Sequence, residues 1–311
     1  MDRIISGFRR ILLAAPAMVA AGLVGTALAG PARAAVADCP NGGSVRFAVV
    51  PAEDTAQLTP IYGRLADLIG QRLGCKVVVQ FGTNYTAVIE AMRANRADFA
   101  QFGAFSYVLA HQVAGAEAVA NFAGPDGKPG VYYASITTWP GSGITSLADV
   151  KGKPFAFSDA ASTSGHLIPS YGLRKAGIDP TKDVQSFYTG SHTASFEALR
   201  NHKVPVGELN STAVAAAKLQ GFYNPADYVT LWQSEPIPNG PLAVRGNLDP
   251  GFKKRLTDIL QTLDLSSMPA HDMKYLGKAG VRGLAPVDDH NYDGIRDVVT
   301  VLHLDLSKMQ D

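Results

Sequence analysis

Strand-like and helix-like stretches alternate along this chain almost without a break, and that alternation restricts the fold more than any other feature. Val45 to Val50 is a short apolar run stopped by Pro51. Thr59 and Pro60 place an N-cap and a proline at a helix start, and Ile61, Tyr62, Leu65, Leu68, Ile69 and Leu73 recur at helical spacing before Gly74. Val77 to Val79 reads as the next strand. Asn84 can cap a helix carrying Val88, Ile89 and Met92, and Asp98 to Phe102 reads as a strand before a helix at Ser106 to Ala114. Such a β–α–β–α order implies a mostly parallel sheet with helices on both faces.

The pattern is interrupted twice. A β-rich stretch at Val131 to Thr138 runs into Trp139-Pro140-Gly141-Ser142-Gly143, and Glu235 to Pro241 is too proline-rich for the interior of an element. Between the breaks a second alternating set appears, with strands at Phe155 to Ser158, Val184 to Tyr188 and Val204 to Leu209. Helices follow each of them, at Gly165 to Ala176, Thr193 to Asn201 and Thr212 to Leu219, and two more come later, at Gly251 to Leu263 and Asp289 to Leu302. The expectation is an α/β protein of two lobes, residues 35–138 with 240–311 forming the first and 139–239 inserted as the second. A ligand would sit in the cleft at the ends of the parallel strands. Two unrelated domains on short linkers are the alternative, which the return of structure after Pro241 disfavours.

Residues 1–34 read as a secretory signal peptide: Arg3, Arg9 and Arg10 precede an apolar run from Ile11 to Ala29, with small-residue sites at Ala27-Leu28-Ala29 and Ala32-Arg33-Ala34. That segment holds four Arg and one Asp, so its removal takes the formal charge from +1 to −2. A chain so near neutrality has no electrostatic footprint for nucleic acid. In an exported protein, Cys39 and Cys75 are expected to form a disulfide, because each lies just before an apparent strand. Asp38 is wrong for a lipoprotein cleavage site at Cys39. Two cysteines and scattered histidines argue against a metal.

The loops after the strands are rich in hydroxyls and poor in charge. In Phe155 to Gly177, a strand is followed by Ser162-Thr163-Ser164-Gly165 and then a helix. Free amides at a helix start can hold an anion, although Ser162 or Ser164 could simply cap the helix. His192 follows Gly190-Ser191 at another helix start, where it could touch a bound anion. Asp288-Asp289-His290 could be taken for a metal trio, but acidic residues opening a helix suit it better. Ser164, His192 and Asp159 could be imagined as a hydrolase triad, but no G-x-S-x-G elbow supports a nucleophile, and no P-loop or G-x-G-x-x-G is present.

With Gly82-Thr83-Asn84-Tyr85-Thr86, Asp98 to Tyr107 (DFAQFGAFSY), Ser142-Gly143-Ile144, Ser162 to Gly165 and Gly190-Ser191-His192 in place, the chain from about Ser44 to Ala285 resembles the phosphonate/phosphite-type substrate-binding proteins of ABC importers. The resemblance implies a type II periplasmic-binding fold, two lobes that close on ligand, a periplasmic monomer without a cofactor, and an ABC permease as partner. It also implies that a phosphorus oxyanion is held by Tyr85, by Tyr132 or Tyr133, by Ser162, Thr163 and Ser164, and by His192, with Tyr107 as a further candidate. Family members that take aminoalkyl phosphonates resemble one another in acidic residues that fall near Thr212 and Gly240 here, both uncharged. The expected ligand is therefore amine-free, such as phosphite or methylphosphonate, since a buried ammonium without a counter-charge is costly. A slip in that alignment would bring Glu208 into play. The alternative function is an exported hydrolase acting on phosphate esters or phosphonates.

Overall fold

The computed structural model describes residues 39–306; the export segment expected at 1–34 lies outside them. The chain starts with β1 (Ser44–Val49), α1 (Thr55–Leu73), β2 (Lys76–Phe81), α2 (Tyr85–Arg93), β3 (Phe99–Gln101), α3 (Ala104–Ala114) and β4 (Ala116–Phe122). A short strand, β5 (Val131–Tyr132), leads to β6 (Ala134–Thr138), β7 (Pro154–Phe157), α4 (Ile168–Lys175), β8 (Gln185–Tyr188) and α5 (His192–Arg200). Next come β9 (Val206–Asn210), α6 (Ser211–Leu219) and β10 (Val229–Gln233). The short β11 (Ile237–Pro238) returns the chain to β12 (Leu242–Arg245), α7 (Pro250–Gln261), α8 (Ala270–Tyr275), β13 (Leu284–Pro286) and α9 (Asp293–Val301).

These strands build a six-stranded sheet, β13-β4-β12-β3-β1-β2, and a five-stranded sheet, β10-β6-β9-β7-β8, while β5 and β11 pair in a ribbon where the chain crosses. The parallel sets expected of the alternating pattern are β2-β1-β3 and β8-β7-β9. The outer neighbours are antiparallel. One cause accounts for β6 and β12. Each enters its sheet from the crossing, with Ala134 opposite Asn210 and Leu242 opposite Gln101, so it starts where the parallel strands end. The crossing itself differs from expectation. Val131 to Thr138 breaks at Tyr133, and Ala134–Thr138 pairs with β9, so the chain has changed sheets before Ala134 and not at Trp139.

Local chemistry explains most boundaries. Asn84, Ser191 and Asn210 cap α2, α5 and α6 by accepting from Ala87, Ala194 and Ala213. α1 begins a turn earlier than Thr59, because the Asp54 carboxylate caps it through the Ala56 amide at 2.8 Å. Pro60 consequently lies inside the helix and gives up one helical hydrogen bond. β4 carries an alanine-rich sequence with no strand signal; pairing on both sides with β12 and β13 makes it a strand. Alternation along β1 sends Val45, Phe47 and Val49 into one apolar layer and Ala48 and Val50 into the other. The five-stranded sheet divides likewise, Phe155 and Phe157 to one side and Ala156 to the other. Cys39 and Cys75 are joined by a disulfide with Cα atoms 5.8 Å apart, beside the paired starts of β1 and β2.

The far end of the six-stranded sheet is tied by Asp98. Its carboxylate accepts from the Arg46 amide at 2.8 Å, from Asn41 Nδ2 at 2.7 Å, and from the guanidinium groups of Arg46 and Arg245, both at 3.0 Å. Burial alone would raise its pKa, but the hydrogen bonds from Arg46 and Arg245 outweigh burial and hold it below the usual carboxylate range. One side chain thus fastens β1, β3 and β12. Asp98→Ala leaves two guanidinium groups without their shared carboxylate, and should lower the unfolding free energy by about 3–5 kcal/mol in urea titrations. A loss below about 1 kcal/mol, the scale of an exposed ion pair, would contradict this account.

Candidate functional site

The ends of the parallel strands in the two sheets face each other, and the loops leaving them touch directly. The His192 amide donates to the Ala52 carbonyl at 2.9 Å. Thr193 Oγ1 accepts from the Asp54 amide at 3.1 Å and donates to Glu53 Oε2 at 2.8 Å. The Phe105 amide donates to Thr163 Oγ1 at 2.8 Å, and the Tyr85 amide to Asp159 Oδ2 at 3.2 Å. Each bond joins an element of the six-stranded half to one of the five-stranded half. They ring a cavity of about 130 Å³, well below the roughly 300 Å³ and more of a site for a drug-sized ligand. A small ion fits such a space; a nucleotide does not.

Six of the residues expected at the site meet in this cavity: Tyr85, Tyr132, Ser162, Thr163, Ser164 and His192. Ser162 caps the turn that follows β7, where the first residues, Thr163 to Leu167, make a wide π-type turn before α4. Gly165 permits that turn, because a Cβ there would stand 1.7 Å from Ser158 Oγ. All three hydroxyls have an acceptor site already filled. Ser162 Oγ accepts from the Gly165 amide at 3.1 Å, Thr163 Oγ1 from the Phe105 amide, and Ser164 Oγ from Asn210 Nδ2 at 3.2 Å. A hydroxyl has a single proton, and with these acceptor sites used the proton is free to donate elsewhere. Capping and anion binding are therefore compatible at Ser162. The Tyr85 side chain lies beside Ser162, and that of Tyr132 beside Ser164 and Thr163, all on the cavity wall. Burial raises both phenols above their ordinary value, so they stay protonated donors.

His192 supplies the charge. Its Nδ1 lies 2.9 Å from Glu208 Oε1, and a carboxylate only accepts, so Nδ1 carries a proton. Nε2 faces Ser162 Oγ at 3.4 Å and Ser164 Oγ at 3.5 Å. Burial alone pulls the imidazole's pKa down, but the charge and hydrogen bond of Glu208, with Glu53 and Asp159 beyond, push it up to about 8. At neutral pH the ring is thus a cation that donates from both nitrogens. Glu53, on the cavity wall, is also raised, above the range of an ordinary carboxylate. Burial lifts it to about 7, against the opposing charge of His192 and the Thr193 hydrogen bond. A ring mostly protonated at neutral pH, 3.5 Å from Ser164 Oγ, is poorly suited to take a serine proton, which does not favour Ser164, His192 and Glu208 as a nucleophile triad. Asp159 is not placed for that task either, since it holds the Tyr85 and Ala161 amides.

Two expected candidates fall elsewhere. Tyr107 is buried in the core, its hydroxyl donating to Asp289 Oδ1 at 2.7 Å and accepting from the Ala118 amide at 3.3 Å, so it has no part in the cavity. Tyr133 is 37% exposed and points outward, away from Tyr132, as alternation along the crossing strand requires. Sequence reasoning missed Glu53, Asn210 and Lys278, which also line the cavity, and placed Glu208 only through a possible slip in alignment. Glu208 carried a signal, a lone charge within an apolar strand, and Asn210 another, a cap directly after that strand. Lys278 carried none. Thr212 and Gly240, where a counter-charge for an ammonium was sought, both lie on the cavity wall. No side chain fits at position 240, because a Cβ there would stand 1.8 Å from the Phe102 carbonyl oxygen. Among the described residues no cluster of His, Cys, Asp or Glu could hold a metal ion. Asp288, Asp289 and His290 are occupied locally, in a cap and in contacts with Arg296, Tyr107 and Asp293.

Residues 47–292 match the family described as the periplasmic substrate-binding protein of phosphonate ABC transporters. The chain is 29% identical over 275 residues to the phosphate-import protein PhnD of Mycolicibacterium smegmatis, covering 83% of this chain and 85% of that one. It is 26% identical over 243 residues to the phosphonates-binding periplasmic protein of Escherichia coli, with 77% and 72% covered. In structure it is similar to a binding protein component of an ABC phosphonate transporter from Pseudomonas aeruginosa, with a TM-score of 0.74, 26% identity, and 84% and 86% of the chains covered. It shares the fold of PhnD1 from Prochlorococcus marinus in complex with methylphosphonate, with a TM-score of 0.73, 19% identity, and 84% and 98% covered. This chain belongs to the periplasmic phosphonate-type substrate-binding proteins of ABC transporters, a family of type II fold that binds its ligands and does not transform them.

Proposed function

We propose that this protein captures a small, amine-free phosphorus oxyanion in the cavity between its halves and delivers it to an ABC import permease. The observation that carries this reading is the donor set: three hydroxyls with acceptor sites already filled, two neutral phenols, and an imidazolium held in place by Glu208. Neutral donors around the imidazolium suit an anion that must be bound and then released. The ligands that these relatives are named for or hold, phosphate, phosphonates and methylphosphonate, belong to one chemical class. The amine-free part rests on Thr212 and Gly240, which offer no carboxylate.

Capture works by closure. Residues 39–132 with 237–306 form one lobe and 134–234 the other, with the exchange at the β5–β11 ribbon rather than at Trp139, and the bonds of Thr163 and Thr193 belong to the closed state. Ligand favours that state by its differential affinity. The segment 1–34 directs export and is removed, and the mature protein works in the periplasm as a monomer.

Calorimetric titration of the mature protein with phosphite, methylphosphonate, phosphate, 2-aminoethylphosphonate and sulfate tests the reading. One-to-one binding of phosphite or methylphosphonate, with the aminophosphonate at least about tenfold weaker, is expected. Preference for the aminophosphonate would overturn the counter-charge argument, and absence of binding would overturn the proposed function.

Removing the cation should weaken binding selectively. His192→Gln keeps hydrogen-bonding capacity without charge and should lower affinity by about tenfold or more, equivalent to ~1.4 kcal/mol. Glu208→Gln should act through His192, shifting the pH profile of affinity downward. An unaltered profile in Glu208→Gln would show that the pair does not set the charge.

The wild-type profile has a defined sign. His192 is protonated below about 8 and Glu53 is neutral below about 7, so both favour an anion at lower pH. Affinity should therefore fall as pH rises from about 7 to about 9, after correction for the ligand's own ionisation. Affinity rising over that interval would contradict the assignment.

A further inference from the structure

Lys278 is a cation on the cavity wall that the donor set leaves unused. It sits in the turn after α8, and its amide is fixed to the Met273 carbonyl at 2.6 Å. Its side chain runs to the cavity, where Nζ donates to Asn239 Oδ1 at 2.6 Å. Asn239 is itself oriented, with Nδ2 donating to the Phe122 carbonyl at 3.3 Å and its backbone amide to the Gly130 carbonyl at 2.9 Å. An ammonium has three protons to donate, and a neutral amide takes one. No carboxylate among the described residues forms an ion pair with Lys278. Burial pulls the pKa of Lys278 down to about 8, with no opposing charge recorded against it. No hydrogen bond joins it to the Ser162–Ser164 hydroxyls or to His192.

On this half the wall near Lys278 also carries an apolar surface of Leu58, Tyr62, Phe122 and Leu276, beside the polar Glu53 and Gln101. The cavity thus combines an oxyanion cradle, an apolar wall and a second, unpaired cation. A buried ammonium without an anion is costly, and a ligand that supplies the anion relieves that cost.

Resting on the phosphorus-oxyanion reading, we propose that the preferred ligand is a phosphonate whose short carbon substituent ends in a carboxylate, paired with Lys278 Nζ beside Asn239. The phosphonate oxygens occupy the hydroxyls and His192, and the intervening carbon lies on Leu58, Phe122 and Leu276. This charge pattern is the inverse of one for an aminoalkyl phosphonate, which would set an ammonium against an ammonium.

The test is the ratio of affinities for phosphonoacetate and ethylphosphonate, probes that differ in a carboxylate and not in the phosphonate group. Calorimetry on the wild-type protein should give phosphonoacetate an advantage of about tenfold or more, the scale of one charge-assisted hydrogen bond. Lys278→Met should reduce the ratio to near one, and Lys278→Gln, which keeps a donor for Asn239, should do the same. Binding of ethylphosphonate by each variant serves as the check on folding. An equal ratio in the wild type, or a ratio that survives both substitutions, overturns the proposal while leaving the oxyanion reading intact. If the wild type binds methylphosphonate, phosphite and both probes not at all, the oxyanion reading fails and the proposal falls with it.

Discussion

A buried imidazolium is the constraint on which the site depends, because it exists only while a carboxylate lies behind it. Glu208 stands on β9, the middle strand of the five-stranded sheet, and is fully buried. Burying that charge costs several kcal/mol unless it is paired in good geometry. The pairing requires α5 to start at Ser191, so that His192 is the first residue of the helix and its ring lies over the strand. The same start directs the His192 amide to Ala52 and the Thr193 hydroxyl to Glu53. One ion pair therefore fixes a strand register, a helix start and two contacts across the cleft.

Glu53 shows how little formal charge the cavity can tolerate. It lies near both His192 and Glu208, and its ionisation is suppressed by burial. If it were an ordinary carboxylate, it would cancel the imidazolium and leave the hydroxyls to face an anion in an uncharged space. Desolvation turns it instead into a carboxyl group that accepts from Thr193 and is only partly ionised at neutral pH.

The architecture was legible in the sequence because it follows from local signals. Apolar alternation at Val45 to Val50, the cap at Asn84 and the small-residue turn at Ser162 to Gly165 each specify a neighbourhood of a few residues. The hydroxyl donors were legible for the same reason, since they lie in loops directly after strands. What escaped depends on partners distant in sequence. β4 shows no strand signal of its own, and only the flanking β12 and β13 make it a strand. Tyr107 carried the same motif context as Tyr85, and only the position of Asp289 assigns it to the core. Lys278 enters the cavity from a turn 39 residues beyond Asn239, its partner, and its surroundings Gly277 and Ala279 give no sign of burial.

The ribbon between the sheets unites two duties in a single residue. Tyr132 pairs with Ile237 across β5 and β11, the two passages of chain that connect the halves. Its side chain lines the cavity beside Thr163 and Ser164. Any rotation of one half against the other twists the backbone that carries this phenol. The torsional compliance of the ribbon and the grip on the ligand are therefore mechanically coupled, and stiffening the joint would also displace a donor.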